Sequence, residues 1–435
     1  MARRGGWRLV WLLGVPLLVF LLLVVLPFLP VGLPTWLLIV PLLGFLVFIH
    51  ELGHFVTAKR FGITVHEFGF GFPPRIFGVK YGETTYTINW IPLGGFVRLE
   101  GEDGRGATPD ADPESDPNSF ASQSVLRRAI VLSAGSIVNL AAPVVIFTIL
   151  FMIPQDTVVG SVVISGVAPG SPALEAGLRP GDTIVAVDGK KIDNSGKLIQ
   201  RIMAKLGATI ELTVRRGSIV SGLGTSPEFS TVETVRLVPR LNPPDLKVVD
   251  EVSDPEREVS LSDARRYNAQ LELGQIMTQG PTGIMIGTAN VRIVKESFPI
   301  WEAVPMSFGK MRDVVLISKN GISRWAAGGP DPGLAGPIGI ARITGQVAEA
   351  GITPVFELMA LISLSLGIFN MLPIPALDGG RFLFVMIEWV RRGKRISPER
   401  EGLVHLIGFV VLIGFIVIIS ISDIQRIFNG TDLLR

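Results

Sequence analysis

Pro41-Leu42-Leu43-Gly44-Phe45-Leu46-Val47-Phe48-Ile49-His50-Glu51-Leu52-Gly53-His54 is the stretch that decides how this chain is built. Pro41 to Ile49 are apolar and continue an apolar run that starts at Thr35, so the segment has the length of a membrane span. Its far end carries two histidines four positions apart, with a glutamate directly after the first. On a helix that spacing sets both imidazoles on one face, one turn apart, where both can bind one metal ion. Glu51 between them can then act on a water activated by that ion. Ionisable side chains at membrane depth are costly, and where they occur they mark function.

The 435 residues are 48% hydrophobic, more than a soluble globular chain needs, and the apolar residues are clustered. Charged residues make up 18% and the formal net charge is +2, so no broad basic surface for nucleic acid is present. Cysteine is absent, which excludes disulfides and thiolate ligands. A metal must therefore be held by His, Asp or Glu, and only four histidines exist: His50, His54, His66 and His405. His66 and His405 belong to no ligand-spaced pair and read as ordinary surface or interface residues.

A span needs about 20 apolar residues. Five segments qualify: Leu9–Val31, Thr35 to about Ala58, Ala129–Ile153, Pro354–Leu372 and Leu403–Ile421. The first is also open to reading as a signal peptide, because Arg3 and Arg4 precede it. Its apolar core is longer than such peptides use, and no Ala-x-Ala-like cleavage site follows. Arg3, Arg4, Arg8, Lys59-Arg60, Arg127-Arg128 and the basic cluster 391–395 fall on one side of a five-span topology with the N-terminus inside. Residues 59–128 and 391–402 are then cytoplasmic and 154–353 lies outside. His50 to His54 come roughly 24 Å into the second span, toward its cytoplasmic end. Asp378 follows the fourth span, which runs the same way, by a comparable distance.

Between the spans, residues 84–99 hold two β-prone runs flanking Pro92-Leu93-Gly94-Gly95, which predicts a hairpin turning there. Its apolar content allows it to dip into the membrane and present a strand edge to an extended peptide. Residues 102–119 are acidic and rich in Pro, Asp and Gly, the composition of a flexible loop. Residues 158–240 alternate β-rich runs with turns, including Ala176-Gly177-Leu178-Arg179-Pro180-Gly181-Asp182 and Val187-Asp188-Gly189. They resemble a PDZ domain, a fold that binds extended peptides by strand addition. Residues 241–276 are charged and read as an insertion, with Gly283-Ile284-Met285-Ile286-Gly287 as a closing strand. Val304, Phe308, Met311 and Val315 fall at helical spacing within 300–325, an amphipathic helix that packs on the β-rich domain or lies on the outer membrane surface.

The predicted fold is thus a polytopic α-helical membrane protein with an extracytoplasmic β-rich PDZ-like domain and a membrane-associated β-hairpin. Its segments are an N-terminal span (1–34), the span with the two histidines (35–58), a cytoplasmic loop with the hairpin (59–128) and a third span (129–153). A PDZ-like domain (154–295, insertion 241–276) and an amphipathic helix with linker (296–353) follow. A span running into a Pro-rich break (354–390), a cytoplasmic loop (391–402) and a last span (403–422) complete the chain.

Two histidines do not complete a catalytic zinc site, which has three protein ligands and an open position. Asp378 is the best candidate for the third, in Asn370-Met371-Leu372-Pro373-Ile374-Pro375-Ala376-Leu377-Asp378-Gly379-Gly380. Pro373 and Pro375 break the span, and broken backbone at membrane depth is tolerated where it lines a cavity. Taken alone, Asp378 reads more simply as a cap for the next helix, Arg381 to Val390.

Together, His50-Glu51-x-x-His54 in a span, Asn370-x-x-Pro-x-Pro-x-Leu-Asp378-Gly and a PDZ-like domain between them resemble the site-2 protease family of intramembrane zinc metalloproteases (peptidase M50), in its bacterial RseP/RasP-like branch. The resemblance covers about residues 36–421. It implies His50, His54 and Asp378 as Zn2+ ligands and Glu51 as general base. It implies Asn370 as a contact to substrate backbone and Gly135-x-x-x-Asn139 as a second polar element, with Ser136 where the family has Pro. Asn139, Gly94 and Gly95 join Asn370 as candidate substrate-binding residues. Gly336-Pro337-Ile338-Gly339-Ile340 also matches a family segment, whereas the extra N-terminal span and the single PDZ-like unit depart from the pattern.

The implied activity is cleavage, within the bilayer, of single-span membrane proteins such as anti-sigma factors or signal-peptide remnants, at the bacterial inner membrane. A catalytically silent PDZ-containing scaffold is the alternative, and retention of Glu51 and all three ligand candidates argues against it. A transporter with a buried metal site would need further charges in the other spans, which have almost none.

Overall fold

Helix α1 (Ile39–Arg60) is the apolar run around the two histidines. A single 3-10 turn at Thr35–Leu38 leads into it, and Lys59 and Arg60 occupy its last turn, where the helix dipole favours cations. It stops where Gly62 takes φ +75° and the Ile63 N–H returns to the Ala58 carbonyl at 3.0 Å, a glycine stop that satisfies the terminal carbonyls. The computed structural model describes residues 34–102, 116–216, 231–329 and 334–429. The apolar segment Leu9–Val31 and positions 103–115 of the acidic stretch lie outside the described residues.

After α1 come β1 (Val65–Tyr81), β2 (Thr84–Leu99) and α2 (Val125–Met152). Then follow β3 (Gln155–Val167), α3 (Pro172–Glu175), β4 (Thr183–Val187), β5 (Lys190–Lys191), α4 (Ser195–Ala204), β6 (Ile210–Arg215) and β7 (Val232–Leu237). Next are β8 (Leu246–Val249), β9 (Glu258–Ser260), α5 (Leu261–Tyr267), β10 (Ile276–Met277), β11 (Ile284–Glu296) and α6 (Ile300–Ala326). Four helices remain: α7 (Pro337–Glu349), α8 (Ile352–Met371), α9 (Asp378–Val390) and α10 (Pro398–Phe428). The described residues form two compact units, one of those up to Leu150 and from Leu334 on, the other of those from Phe151 to Gly329.

The first unit holds four helices long and apolar enough to cross a membrane among the described residues: Thr35–Arg60, Val125–Met152, Ile352–Met371 and Pro398–Phe428. Glycine lets their backbones approach. A Cβ at Gly53 of α1 would lie 2.7 Å from the Ala134 carbonyl oxygen of α2, and one at Gly367 of α8 would lie 2.8 Å from Leu140 of α2. Close crossings through small residues supply the van der Waals contact that joins helices where lipid removes the hydrophobic drive. Leu38, Leu42 and Leu46 pack on Val355 and Met359 in one core cluster, and Ala58, Val131, Leu132 and Val385 share another. Phe409, Val410, Val411 and Ile418 of α10 stay exposed, the surface expected of a helix facing hydrocarbon.

The chain of this unit's sheet reverses between residues 88 and 95, at the Pro92–Gly95 stretch, but the two runs flanking it do not pair with each other. A second, tight turn lies at Gly82-Glu83, because Tyr81 pairs with Thr84. Gly82 takes φ +62° and so supplies the backbone that a two-residue hairpin loop requires. Pro92 to Gly95 join two segments of β2 that run in opposite directions past residues 67–70. Each strand folds back on the pair. Residues 67–70 of β1 bond to 95–98 of β2 on one side and to 85–88 on the other, while 77–81 bond to 84–88. Residues 95–99 therefore form an edge, with no second strand paired to them among the described residues. Phe72, Ile76, Phe77, Ile88 and Trp90 leave this sheet with a broad exposed apolar surface.

In the second unit, β11-β3-β4-β6-β7 form one antiparallel sheet, with β5 beside β4. Val162, Ile164, Ile184, Leu198, Ile210 and Leu212 fill its core. Asp188 (φ +50°) and Gly189 (φ +71°) make the tight β4–β5 turn expected of an Asp-Gly pair. β11 lies antiparallel to β3 from Ile284 opposite Val167 to Glu296 opposite Gln155. Residues 246–277 fold as a three-stranded sheet with α5, and Val248, Val259, Tyr267 and Met277 pack against Ala168. Helix α6 lies on α4: Gln200 Nε2 donates to Asp313 Oδ2 at 3.2 Å and Asn320 Nδ2 to the Met203 carbonyl at 2.8 Å. Packing on the β-rich unit is thus the placement seen for the amphipathic stretch, with Trp301 and Phe308 left exposed.

Candidate metal centre

The 3.6-residue repeat of α1 stacks His50 and His54 on one face, both buried, with their Nε2 atoms 3.2 Å apart. Asp378 is the first residue of α9. Leu377 stands at the N-cap and no side chain caps the helix, so the capping reading of Asp378 fails. Its carboxylate turns instead to the histidines: Oδ2 lies 2.9 Å from His50 Nε2 and 3.3 Å from His54 Nε2. A tetrahedral zinc ion with bonds of about 2.1 Å holds its ligand atoms roughly 3.4 Å apart. The three atoms thus stand within a few tenths of an ångström of a zinc-binding triangle, and the donor set, two imidazoles and one carboxylate, is one that zinc accepts.

The surroundings fit the same ion. His54 Nδ1 donates to the Val131 carbonyl at 2.7 Å, which leaves the Nε2 lone pair facing the triangle. Gly135 lies over both rings: a Cβ there would sit 2.3 Å from His54 Nε2 and 2.7 Å from His50 Nε2, so any side chain would fill the space an ion needs. One turn along α2, Asn139 Nδ2 stands 3.3 Å from His50 Nδ1, while Asn139 Oδ1 is buried without a partner among the described residues. Exchanging the two ends of this amide pairs the orphaned oxygen with His50 Nδ1–H and frees His50 Nε2 as a ligand. Pro143, four residues on, has no N–H to give to the Asn139 carbonyl. Ser363 Oγ of α8 supplies the missing donor at 2.9 Å.

The sequence profile of Peptidase family M50 matches residues 38–415, which contain every residue named above. The chain belongs to peptidase family M50. Among its relatives, "Zinc metalloprotease RasP" of Geobacillus kaustophilus is 28% identical over 88% of this chain and 96% of its own. A "Putative zinc metalloprotease" of Rhizobium meliloti is 30% identical over 88% and 94%, and one of Clostridium perfringens is 29% identical over 87% and 95%.

The other expected site residues of this M50 chain are placed as follows. Glu51 projects beside the edge of β2, where a Cβ at Gly95 would lie 3.2 Å from its Cγ. Gly94, with φ +110°, turns the backbone into that edge in a conformation that side chains disfavour. Asn370 stands half-buried in the last turn of α8 and makes none of the contacts within the cluster. Asn139 is buried and faces His50, behind the ligand triangle.

Two contributors were not legible beforehand. The Val131 carbonyl leaves no trace in side-chain chemistry. His405, read from sequence as an ordinary interface residue, accepts the Ala376 N–H at Nδ1, 2.9 Å away, in the loop that carries Asp378. A polar side chain in an otherwise apolar span was the signal for it.

Proposed function

We propose that this chain is a zinc endopeptidase that cuts peptide bonds inside the bilayer, in the spans of single-span membrane proteins. The observation that carries this reading is the triangle of His50 Nε2, His54 Nε2 and Asp378 Oδ2, with sides of 2.9 to 3.3 Å, built from two elements next to apolar spans and flanked by Glu51. The names of the relatives support the metal and the reaction class.

His50, His54 and Asp378 would hold the ion. An ion held there would supply activation of a water molecule and polarisation of the scissile carbonyl. Glu51 takes a proton from the attacking water and returns it to the leaving amine. Val131 and Asn139 hold the imidazoles in the tautomer that presents Nε2. A helical substrate must unwind first, because its carbonyls are already hydrogen-bonded and covered. Gly95 beside Glu51 and the unpaired edge at 95–99 support capture of the unwound segment by strand addition, with Gly94 shaping that edge. Asn370 is proposed as a further backbone contact, held at the end of α8 before the Pro-rich loop.

The β-rich unit is read as a PDZ-like domain on the extracytoplasmic side of a bacterial inner membrane, with residues 59–128 and 391–402 cytoplasmic. The positive flanks of the spans support this orientation. The substrate class extends to anti-sigma factors and signal-peptide remnants. Trapping with Glu51→Gln protein in native membranes, followed by cross-linking and mass spectrometry, tests it. Single-span proteins cross-linked within their spans are expected, and recovery of soluble proteins alone would exclude the reading.

A further inference from the structure

Asp378 is held in place by a loop with few hydrogen-bonding options of its own. Pro373 and Pro375 lack an N–H. The Ile374 N–H bonds the Leu372 carbonyl at 2.7 Å and the Leu377 N–H the Ile374 carbonyl at 3.2 Å, both within the loop. The Ala376 N–H instead leaves the loop, reaching His405 Nδ1 of α10 at 2.9 Å. Ala376 also takes φ +77°, a left-handed conformation that L residues with a Cβ rarely adopt. Such a conformation persists only where the surroundings impose it.

α10 imposes it at two adjacent points. His405 grips Ala376. Gly408, one turn further on, packs directly on the residue before it: a Cβ at Gly408 would lie 2.3 Å from the Pro375 Cβ. The far side of the imidazole is held by Phe384 of α9, ring centroids 5.6 Å apart. Because Nδ1 accepts a hydrogen bond, the ring is neutral with its proton on Nε2. That atom is buried, with Glu401 Oε1 one helical turn away at 3.9 Å.

We propose that His405 is a positioning residue for the metal centre: its Nδ1 fixes Ala376, and through it the carboxylate of Asp378, two residues on. His405 touches neither ion nor substrate. The inference rests on Asp378 being a zinc ligand, as proposed above. It explains why an imidazole stands in a helix whose span is otherwise apolar, and it makes α10 part of the active-site scaffold rather than an anchor alone.

Asparagine and glutamine separate this role from general packing. The Oδ1 of asparagine takes the place of histidine Nδ1 and can accept the Ala376 N–H, whereas the carbonyl of glutamine extends past it. Zinc affinity of the full-length protein in detergent, read by competition with a chromogenic chelator, is the measurement. His405→Gln is expected to weaken zinc binding about tenfold, as loss of an outer-shell support does, and His405→Asn to stay near the wild-type value. Equal affinities for the two variants would overturn the proposal, whether both match wild type or both are weak. Asp378→Ala serves as the reference. Unchanged zinc affinity there sinks the ligand assignment itself, whereas a loss there without a loss in His405→Gln sinks only the role of His405.

Discussion

Asp378 Oδ2 stands 2.9 Å from His50 Nε2, although the two residues are 328 positions apart in the chain. The contact forms because α1 presents His50 on a buried face and the Pro-rich break after α8 starts α9 at the same place. Around it, glycine, an amide and a carbonyl are arranged so that both Nε2 atoms face Asp378.

Gly135 is predicted to tolerate no side chain. Gly135→Ala places a methyl group 2.3 Å from His54 Nε2, where neither imidazole can move without losing its support. Zinc content and cleavage of a single-span substrate should both fall, by roughly 100-fold for cleavage, since displacements of about 1 Å at a reacting centre cost that much. Full zinc occupancy in the variant would refute the assignment of this space to the ion.

Asn139 separates two roles. If it orients His50, Asn139→Leu weakens zinc binding by about 10- to 100-fold and leaves KM for substrate unchanged once the protein is saturated with zinc. A raised KM with wild-type zinc affinity would restore the substrate-contact reading.

Pro143 and Ser363 should be thermodynamically coupled. Ser363→Ala strands the Asn139 carbonyl in a buried site and is expected to destabilise by about 1 kcal/mol. Pro143→Ala returns an N–H at the helical position for that carbonyl, so the cost of Ser363→Ala should shrink in the double variant. Thermal unfolding of the four proteins in detergent completes the cycle. Strict additivity would mean that Ser363 does not replace the missing helical donor.

Asp188 gives the β-rich unit a pH dependence. Burial pushes its carboxyl up, but the Lys205 ammonium at 2.7 Å and the Glu211 N–H at 3.0 Å outweigh burial and hold it below the usual range. A depressed folded-state value contributes stability above the unfolded value of about 3.9 and loses it as pH falls through the folded one. Asparagine tolerates the left-handed turn, so Asp188→Asn should lower the unfolding temperature at pH 7, by a deficit that shrinks as pH falls below about 3.9. A deficit that stays constant as pH falls would point to the turn rather than the charge.

Local chemistry was readable from the sequence where one side chain decides the outcome. Helical spacing alone pairs His50 with His54, and span lengths follow from apolar runs: Thr35–Arg60, Val125–Met152 and Ile352–Met371 track them closely, whereas Pro398–Phe428 continues well past both ends of the run Leu403–Ile421. The pairing of the sheet was not readable in the same way. The chain does reverse at Pro92-Leu93-Gly94-Gly95, yet the runs on either side do not pair with each other, because residues 67–70 lie between them. The roles of Gly135, Asn139 and His405 depend on which helices cross and how closely. Only the tertiary structure sets that, and one polar residue in an apolar helix looks the same whether it meets lipid, substrate or a strained loop.

The proposed centre is a zinc ion held in the membrane by His50, His54 and Asp378, with Glu51 as the base. Zinc content and substrate cleavage, measured together on purified Glu51→Gln protein, separate metal binding from catalysis. The expected result is about one zinc per chain, as in wild type, with cleavage reduced about 10²- to 10⁴-fold, the range for loss of a general acid–base group. Cleavage at the wild-type rate, or a folded wild-type protein that holds no zinc, would contradict it.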